Sequence, residues 1–227
     1  MNTLVLAIDG PSGSGKSSTA KSLAIRANWS YLDTGALYRA ATYLALRDVT
    51  IDEANIYKKI IESEIEFNCS PKDPKIYLDG LDITEEIRFE RINEQVSVVS
   101  AMPSIRQHLL DLQRKYISDA PVGIVVEGRD IGTVVAPDAP LKIYLHADIN
   151  ERANRRESES KEKLANDQIA QSLQNRDNLD SNRSVSPLTK AEDAAEIDST
   201  RLSLPEVVDQ IWKWMQPVSY THLTLPT

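Results

Sequence analysis

The sequence predicts a three-layer α/β fold with a parallel core sheet, because short apolar runs alternate with helical segments along the chain. Residues 3–8 (TLVLAI), 123–126 (GIVV) and 141–145 (LKIYL) are the apolar runs. A run of this length that is bounded by a turn is typical of a strand buried on both faces. The first run ends at a glycine-rich turn, and residues 17–26 after the turn have the spacing of an amphipathic helix.

Length and composition exclude several classes of protein. The chain has 227 residues, of which 34 are acidic and 26 basic, so its net charge is −8. This balance argues against a nucleic-acid partner, and no apolar run reaches the roughly 20 residues that cross a bilayer. Cys69 is the single cysteine, which excludes an internal disulfide and leaves no partners for a zinc site. The start of the chain lacks the pattern of a signal peptide, so we expect a cytoplasmic protein with no membrane contact.

Glycine is scarce and clustered. Eight of the 227 residues are glycine, which is about half of the usual glycine content of roughly 7%. Three of them fall in residues 10–15 and three in residues 123–132. Because glycine reaches backbone conformations that other residues avoid, we expect both segments to need unusual backbone geometry.

An insertion is predicted between the apolar runs. Residues 64–69 and 75–83 alternate apolar with polar side chains, and the Asp-Gly pair within the second stretch favours a tight hairpin. This pattern predicts a small antiparallel ribbon beside the main sheet. Residues 92–116 carry apolar positions at helical spacing, with Pro103 as the break between two helices.

The last third of the chain divides into a polar segment, a helix and a tail. Residues 151–183 are too polar for a core and predict a mobile helical lobe over a site. Ser203 and Glu206 match a capping box ahead of an apolar helix face, and this helix should pack on the sheet and end before Pro217. Residues 218–227 continue no pattern and are expected to lie outside the fold.

Residues 10–17 read GPSGSGKS and match G-x-x-x-x-G-K-[ST] directly between a predicted strand and a predicted helix. We call them the phosphate loop. Glycines let successive backbone N–H groups turn toward a phosphate, and the start of the helix adds partial positive charge. Lys16 would then reach the β and γ phosphates, and the Ser17 hydroxyl would bind Mg²⁺ directly. We therefore predict Mg²⁺ as a cofactor and an ATP site made of Gly10, Pro11, Ser12, Gly13, Ser14, Gly15, Lys16, Ser17 and Ser18.

A second glycine-containing motif, VVEGRDIGT, occupies residues 125–133. Glu127 ends a predicted strand, so its carboxylate should emerge near the phosphates and could hold a water on Mg²⁺. Arg129 and Asp130 follow at the carboxyl edge of the sheet, where ligands bind in open α/β folds. An ion pair between Arg129 and a neighbouring acid is the alternative. The sequence contains no N-K-x-D guanine-reading motif, which disfavours a GTPase.

Residues 31–39 (YLDTGALYR) and 175–183 (NRDNLDSNR) complete a set of four separated motifs. Together with the phosphate loop and EGRDIGTVV, they resemble those of the bacterial cytidylate kinases, a branch of the nucleoside monophosphate (NMP) kinases. The resemblance covers about residues 3–216. It implies a P-loop kinase with residues 1–34, 104–147 and 184–217 as the core, 35–103 as an inserted NMP-binding domain with the ribbon, 148–183 as a helical lid, and 218–227 as a tail outside the fold.

The resemblance also implies roles for individual residues. Lys16, Arg129 and Arg176 would be catalytic, and Arg39 would join the two arginines in gripping the phosphate of the acceptor nucleotide. Their residue type fits, because a planar guanidinium binds phosphate oxygens in pairs. Ser97, Arg106 and Asp130 would recognise the cytosine ring and Asp180 the sugar hydroxyls, so that the acceptor site comprises Thr34, Arg39, Ser97, Arg106, Arg129, Asp130, Arg176, Asp180 and Arg183.

Arg176, Asp180 and Arg183 have i, i+4, i+7 spacing, so one helix face would present an acid between two bases. A surface ion-pair ladder, with a few tenths of a kcal/mol for each pair, is the alternative. The other three motifs favour the binding role.

Arg152, Arg155 and Arg156 share a helix face in the predicted lid. The resemblance implies that they close over the transferring phosphoryl group, and a solvated charged face is the alternative. Residues 198–200 resemble the loop near the donor adenine, with a turn ahead of the last helix as the alternative. Glu127 departs from the family pattern, since many members carry aspartate there and the longer arm could shift the metal geometry.

The resemblance implies transfer of the γ-phosphoryl group of Mg·ATP to CMP, and also to dCMP, by a monomeric enzyme of pyrimidine nucleotide metabolism. One alternative is a kinase of a sugar or of a shikimate-like alcohol on the same core. The predicted ribbon and the acid between two bases argue against it. The other is a nucleotide-sensing module that transfers nothing, and the intact Lys16, Ser17 and Glu127 argue against that.

Overall fold

A computed structural model describes residues 3–47, 52–159 and 166–223, with backbone alone for residues 159 and 217–223. The described residues leave out residues 1–2, 48–51, 160–165 and 224–227. These belong to the predicted core, NMP-binding domain, lid and tail, respectively. The strands are, in chain order, β1 (Leu4–Asp9), β2 (Ser30–Asp33), β3 (Ile65–Asn68), β4 (Lys75–Leu78), β5 (Leu81–Asp82), β6 (Gly123–Gly128), β7 (Leu141–His146) and β8 (Ala195–Asp198).

Eight α-helices fall within the described part of the chain. They are α1 (Lys16–Ala27), α2 (Thr34–Ala45), α3 (Glu53–Glu62), α4 (Glu90–Ser100), α5 (Pro103–Asp119), α6 (Ile149–Glu159), α7 (Asn166–Asn182) and α8 (Leu204–Leu223). A 3₁₀ turn (Glu86–Arg88) precedes α4, and one turn of π-helix (Ile131–Val135) follows β6. None of the helices in the described residues is long and apolar enough to span a membrane.

The predicted three-layer α/β fold with a parallel sheet is confirmed. Five strands form the sheet in the order β2-β6-β1-β7-β8, and every neighbouring pair is parallel. All six residues of β1 and of β6 are buried, as expected for strands covered on both faces. Since all strands point the same way, Asp9, Asp33 and Glu127 reach one edge of the sheet together.

Helices cover this sheet and close the core. Helix α1 packs on β6 and against α8, and α2 packs on β6. The apolar face of α8 buries Val207, Ile211 and Met215 in the main core. Helix α8 starts as the capping box predicts, because the Ser203 amide and hydroxyl donate to the Glu206 carboxylate at 2.8 and 2.6 Å.

The predicted ribbon is present as a second, antiparallel sheet in the order β3-β4-β5. Asp79 and Gly80 make the tight turn between β4 and β5 with φ of 51° and 77°, the conformation that favours an Asp-Gly pair. The two helices predicted around Pro103 are α4 and α5, and the proline occupies the first position of α5.

The polar segment folds into two packed helices, α6 and α7, which share a small apolar contact of Ala153, Ile169 and Leu173. Helix α7 also packs on α4. The segment that was predicted as too polar for a core therefore holds a cluster of three buried apolar residues.

One boundary prediction is wrong. The last helix was expected to end before Pro217, but α8 continues to Leu223. A proline removes one backbone donor and crowds the preceding turn, which bends a helix without ending it when the residues on both sides remain helical. The predicted tail therefore begins inside a helix.

Candidate active site

A cleft of about 1040 Å³ lies at the carboxyl edge of the parallel sheet. It brings together most of the residues predicted for the two nucleotides, although they come from six separate segments. Gly10, Pro11 and Arg152 do not line it. The predicted residues that do are Ser12, Gly13, Ser14, Gly15, Lys16, Ser17, Ser18, Thr34, Arg39, Ser97, Arg106, Glu127, Arg129, Asp130, Arg155, Arg156, Arg176, Asp180 and Arg183.

The phosphate loop has the backbone that its glycines predict. Gly10, Gly13 and Gly15 have φ of 149°, 77° and 91°, a region that side-chain-bearing residues rarely adopt. A Cβ on Gly10 would lie 1.9 Å from the backbone oxygen of Leu145. The loop therefore passes closer to β7 than any other residue type would allow, and Lys16 follows as the first residue of α1.

Lys16 is folded back over its own loop. Its Nζ donates to the Pro11 carbonyl at 2.7 Å, and its side chain is buried. Burial, with the nearby Arg129, lowers the pKa of Lys16 to about 7, while Glu127 works in the opposite direction. Burial makes the charged form costly in the protein alone, so an anion placed beside Lys16 would stabilise it.

Glu127 lies at the end of β6, beside the start of α1. Tyr31 donates to its Oε1 at 2.5 Å, and the neighbouring Ser17 side chain acts to lower its pKa. Burial and then Asp33 raise the pKa of Glu127, whereas Lys16 lowers it. A hydroxyl and a carboxylate side by side are oxygen donors of the kind that Mg²⁺ prefers, so Ser17 and Glu127 fit a magnesium site completed by phosphate and water oxygens.

Thr34 makes a contact within the protein that the sequence did not predict. It lines the cleft, but its hydroxyl donates to the backbone carbonyl of Glu127 at 2.8 Å and so ties the start of α2 to the end of β6. Gly128 leaves room for this contact, since a Cβ there would lie 2.6 Å from the Thr34 hydroxyl. Gly128 and Gly132 do not have positive φ, so the second glycine motif does not need unusual backbone geometry at these two positions. At Gly128 the reason for glycine is instead the lack of room for a side chain.

Three guanidinium groups, those of Arg39, Arg129 and Arg176, meet on the acceptor side of the cleft, and we call them the guanidinium cluster. Burial lowers the pKa of Arg39 to about 10 and, with Arg39 and Arg129 as neighbours, that of Arg176 to about 9. The buried Nε atoms of Arg39 and Arg176 have no hydrogen-bond partner among the described residues. Mutual repulsion and unused donors together favour an anionic ligand.

Asp180 organises one side of the cluster. Its Oδ2 accepts from Arg129 Nε at 3.0 Å, and its Oδ1 accepts from the Ser97 hydroxyl at 3.2 Å. Burial raises the pKa of Asp180, but Arg129, Arg176 and Arg183 together lower it below its usual value, so this carboxylate is charged. The contact joins α7 to α4 and to the turn after β6, which excludes a surface ladder as the explanation of the helix-face pattern.

A buried ion pair closes the far end of the cleft. Arg106 donates to Asp130 and to the Ser100 carbonyl, the latter at 3.0 Å, and its guanidinium lies 5.2 Å from the centroid of the Tyr38 ring. Arg183 Nη2 approaches the other oxygen of Asp130 at 3.8 Å. Two of the predicted base-reading residues, Arg106 and Asp130, therefore form one polar group with Arg183. The third, Ser97, donates to Asp180 instead.

The three arginines of α6 are not equivalent. Arg152 Nη1 donates to the Ser12 carbonyl at 3.0 Å and to the Asp177 carboxylate at 2.5 Å, so it is used within the protein. Arg155 donates to the Ser199 carbonyl at 2.7 Å, and Arg156 lines the cleft. The prediction of three arginines with a common role is therefore not supported for Arg152.

The loop after β8 also reaches the phosphate loop. The Ser199 hydroxyl donates to the Ser14 carbonyl at 3.1 Å, and Ser199 lines the cleft. This contact joins residues 198–200 to the phosphate loop.

Two carboxylates in the site had no assigned role in the sequence analysis. Asp9 accepts from the amides of Ile131 and Gly132 at 2.8 and 2.7 Å, and burial raises its pKa to about 6 despite these two contacts. Asp177 accepts from the Ser12 amide at 3.3 Å. Their positions in the sequence could have indicated a role near the site, because Asp9 ends the strand before the phosphate loop and Asp177 follows Arg176.

Comparison with known proteins agrees with this geometry. A family model described as cytidylate kinase matches residues 6–217. A cytidylate kinase of Fusobacterium nucleatum subsp. nucleatum is 41% identical over 222 residues, which cover 96% of this chain and 100% of that protein. A cytidylate kinase of Bacillus licheniformis is 44% identical over 214 residues, 92% of this chain and 94% of that protein.

A solved structure supports the fold alone. An uncharacterized protein from Eubacterium ventriosum matches with a TM-score of 0.53 and 14% identity, over 95% of this chain and 99% of that one. The family match and the two relatives extend over nearly the whole chain and include all four motifs that form the cleft. The chain therefore belongs to the cytidylate kinase family.

Proposed function

We propose that the protein transfers the γ-phosphoryl group of ATP to CMP, and also to dCMP, giving ADP and the nucleoside diphosphate. One observation carries the proposal: the phosphate loop and the guanidinium cluster face the same cleft. Such a cleft holds two phosphorylated ligands with their phosphates toward each other. An oxygen of the CMP phosphate attacks the γ-phosphorus, the bond to the β–γ bridging oxygen breaks, and ADP keeps that electron pair.

The donor is held by the phosphate loop. The loop amides and the start of α1 bind the phosphates of ATP, and Lys16 moves from the Pro11 carbonyl to the β and γ phosphates. Because burial already disfavours its charge, Lys16 gains more from a phosphate partner than an exposed lysine would. We assign residues 10–18 to ATP binding.

The acceptor phosphate is held by the guanidinium cluster. Arg39 and Arg176 offer unused buried donors. Arg129 is fixed through Nε by Asp180 and through Nη1 by the Gly128 carbonyl at 3.3 Å, which leaves Nη2 as the donor assigned to phosphate. Arg129 and Arg176, together with Lys16, also neutralise the charge that spreads over the moving phosphoryl group.

The nucleoside part lies toward the buried ion pair. We assign the cytosine ring to Ser97, Arg106 and Asp130, and the sugar hydroxyls to Asp180, with Arg183 beside base and phosphate and Thr34 at the edge of the nucleotide. The support is their common end of the cleft and their shared hydrogen bonds.

Magnesium is the proposed cofactor. When bound, it would supply neutralisation of the phosphate charge. Ser17 would hold it directly through the hydroxyl, and Glu127 would hold it through a water. Both side chains line the cleft, and Ser17 is close enough to Glu127 to lower its pKa.

The lid contributes from α6. Arg155 lies against the Ser14 and Ser199 carbonyls on the donor side, and Arg156 lines the cleft. Closure of α6 and α7 over the bound nucleotides would exclude the water that otherwise hydrolyses ATP. Arg152 acts in this scheme by holding the phosphate loop to α7.

The test is ADP release, measured with a coupled assay across CMP, dCMP, UMP, AMP and GMP. We expect CMP and dCMP to be phosphorylated far better than the purine nucleotides. No ADP with any NMP, in a protein that still binds ATP, would favour a nucleotide-sensing module and overturn the proposal. ADP release with a sugar or a shikimate-like alcohol in place of an NMP would overturn the assigned acceptor.

We further propose that the protein acts as a monomer in the cytoplasm, with ATP and the cytidine nucleotides as its partners and without nucleic acid. Its size in solution, measured by light scattering with and without both nucleotides, tests the monomer. A dimer under either condition would contradict it.

A further inference from the structure

Tyr31 contacts Glu127 across two paired strands. The Tyr31 hydroxyl donates to Glu127 Oε1 at 2.5 Å. In the parallel pair β2–β6, Tyr31 lies opposite Val125, and Asp33 lies opposite Glu127. Tyr31 and Glu127 are therefore diagonal neighbours on one face of the sheet, within reach for an aromatic side chain. Their exposed fractions are 1% and 3%, so water does not compete for this contact.

Tyr31 is itself held rigidly. Its ring packs edge-on to that of Phe67 with centroids 6.1 Å apart, and its backbone amide donates to the Cys69 carbonyl at 2.9 Å. Burial and the charge of Glu127 raise the pKa of Tyr31 well above its usual value, so the hydroxyl keeps its proton and remains a donor. The inserted ribbon, through β3, thus fixes a donor that points at the active-site carboxylate.

Glu127 needs such a contact. Its side chain has one more rotatable bond than an aspartate, and Lys16 and Ser17 attract the same carboxylate from the phosphate-loop side. The tyrosine hydroxyl bonds one carboxylate oxygen, so Glu127 cannot turn toward Lys16 without losing that hydrogen bond.

We propose that Tyr31 is a positioning residue, which aims the Glu127 carboxylate at the magnesium ion of bound Mg·ATP. This inference rests on the proposed role of Glu127. Hydrogen-bond partners behind a metal-binding group orient that group, and their loss commonly weakens metal binding by about 10- to 100-fold.

The experiment measures ATP binding by calorimetry, with and without Mg²⁺ and with no acceptor present, so that turnover does not enter. The ratio of the two dissociation constants gives the gain in ATP affinity from Mg²⁺. We expect Tyr31→Phe to reduce that gain about tenfold while ATP affinity without Mg²⁺ stays the same. In the assay, kcat should fall and KM for CMP should not change.

A double-mutant cycle separates positioning from stability. Glu127→Asp withdraws the carboxylate from the tyrosine hydroxyl, so Tyr31→Phe should have no further effect on the Mg²⁺ gain in that background. Tyr116→Phe is the matched control, because it removes a hydroxyl that accepts from the Phe67 amide at 2.7 Å outside the cleft. It should lower the melting temperature and leave the Mg²⁺ gain intact.

Three outcomes overturn the inference. An unchanged Mg²⁺ gain in Tyr31→Phe, where Glu127→Gln abolishes it, refutes Tyr31 while the role of Glu127 stands. Additive losses in the cycle refute positioning through Glu127. An unchanged gain in Glu127→Gln refutes the proposed role of Glu127, and the inference falls with it.

Discussion

The two phosphate-handling regions of the cleft are built in opposite ways. The phosphate loop is eight consecutive residues whose backbone does the work, with three glycines at positive φ. The guanidinium cluster is made of long side chains from α2, the turn after β6, and α7, which are far apart in sequence. A site made of backbone depends on local conformation, whereas a site made of side chains depends on how distant elements pack.

The electrostatics follow the same division. The donor side concentrates its side-chain charge in Lys16, which is folded onto its own loop. The acceptor side places three cations together and balances them with Asp180 and Asp177. The donor loop therefore satisfies its own charged side chain, while the acceptor side keeps repulsion between its arginines that a phosphate would relieve.

The largest effect should come from Lys16→Ala. Loss of the charge at the moving phosphoryl group should lower kcat about 10³-fold. Because burial disfavours the lysine charge, its removal should leave the melting temperature within a few degrees. Steady-state kinetics and thermal unfolding on one preparation check both claims. A mutant that keeps its kcat would contradict the assignment of Lys16 to the donor.

Alanine substitutions at two glycines test whether only the donor side depends on special backbone conformation. Gly10→Ala should lower the free energy of unfolding by about 3 kcal/mol or more, since a Cβ meets the Leu145 oxygen and φ is 149°. Gly132→Ala is the matched change in the acceptor-facing turn. A Cβ there lies 3.1 Å from the flexible Lys142 side chain, and its cost should stay near 1 kcal/mol. Urea unfolding compares the two, and equal costs would refute the distinction.

Arg176→Ala should then show that the acceptor side depends on side chains. We expect kcat/KM for CMP to fall about 10²-fold, with little change in ATP affinity. Arg176→Lys keeps the charge but loses the paired donors, so most of the loss should remain. Arg26, which pairs with Asp209 away from the cleft, gives the control Arg26→Ala. Full rescue by lysine would mean that charge alone suffices.

The same contrast explains what the sequence could reveal. The phosphate loop, its helix and the strand before it were predictable, because a contiguous motif and its flanking pattern encode them. The ribbon followed from period-two alternation and an Asp-Gly turn. The acceptor residues came only from resemblance, since nothing local links Arg39 to Arg176, and their meeting depends on α2, β6 and α7 packing together.

Contacts between distant segments could not be predicted from local patterns. The hydroxyl of Thr34 donates to the carbonyl of Glu127, because α2 starts directly beside the end of β6, and Thr34 still lines the cleft. Arg152 was grouped with Arg155 and Arg156 of the same helix, but its guanidinium forms an ion pair with Asp177 of α7. Helical spacing indicates a shared face, and only the packed neighbour decides which side chains remain available.

The smallest predicted effect is the most specific one. Arg106→Ala should reduce the preference for CMP over UMP about tenfold, because the base-reading group loses one member. The change also removes the close ion-pair partner of the buried Asp130 and leaves only Arg183 at 3.8 Å, so we expect about 3 kcal/mol of lost stability.

Ser97→Ala keeps that ion pair and removes one hydroxyl that donates to Asp180. It should fold normally and shift the same preference by a smaller factor. Initial rates with CMP and UMP, measured for both mutants below their melting temperatures, give the ratio directly. If both mutants lose equal activity on the two substrates, the buried end of the cleft holds the nucleotide without reading its base. The acceptor side would then recognise only the phosphate and the sugar of the nucleotide.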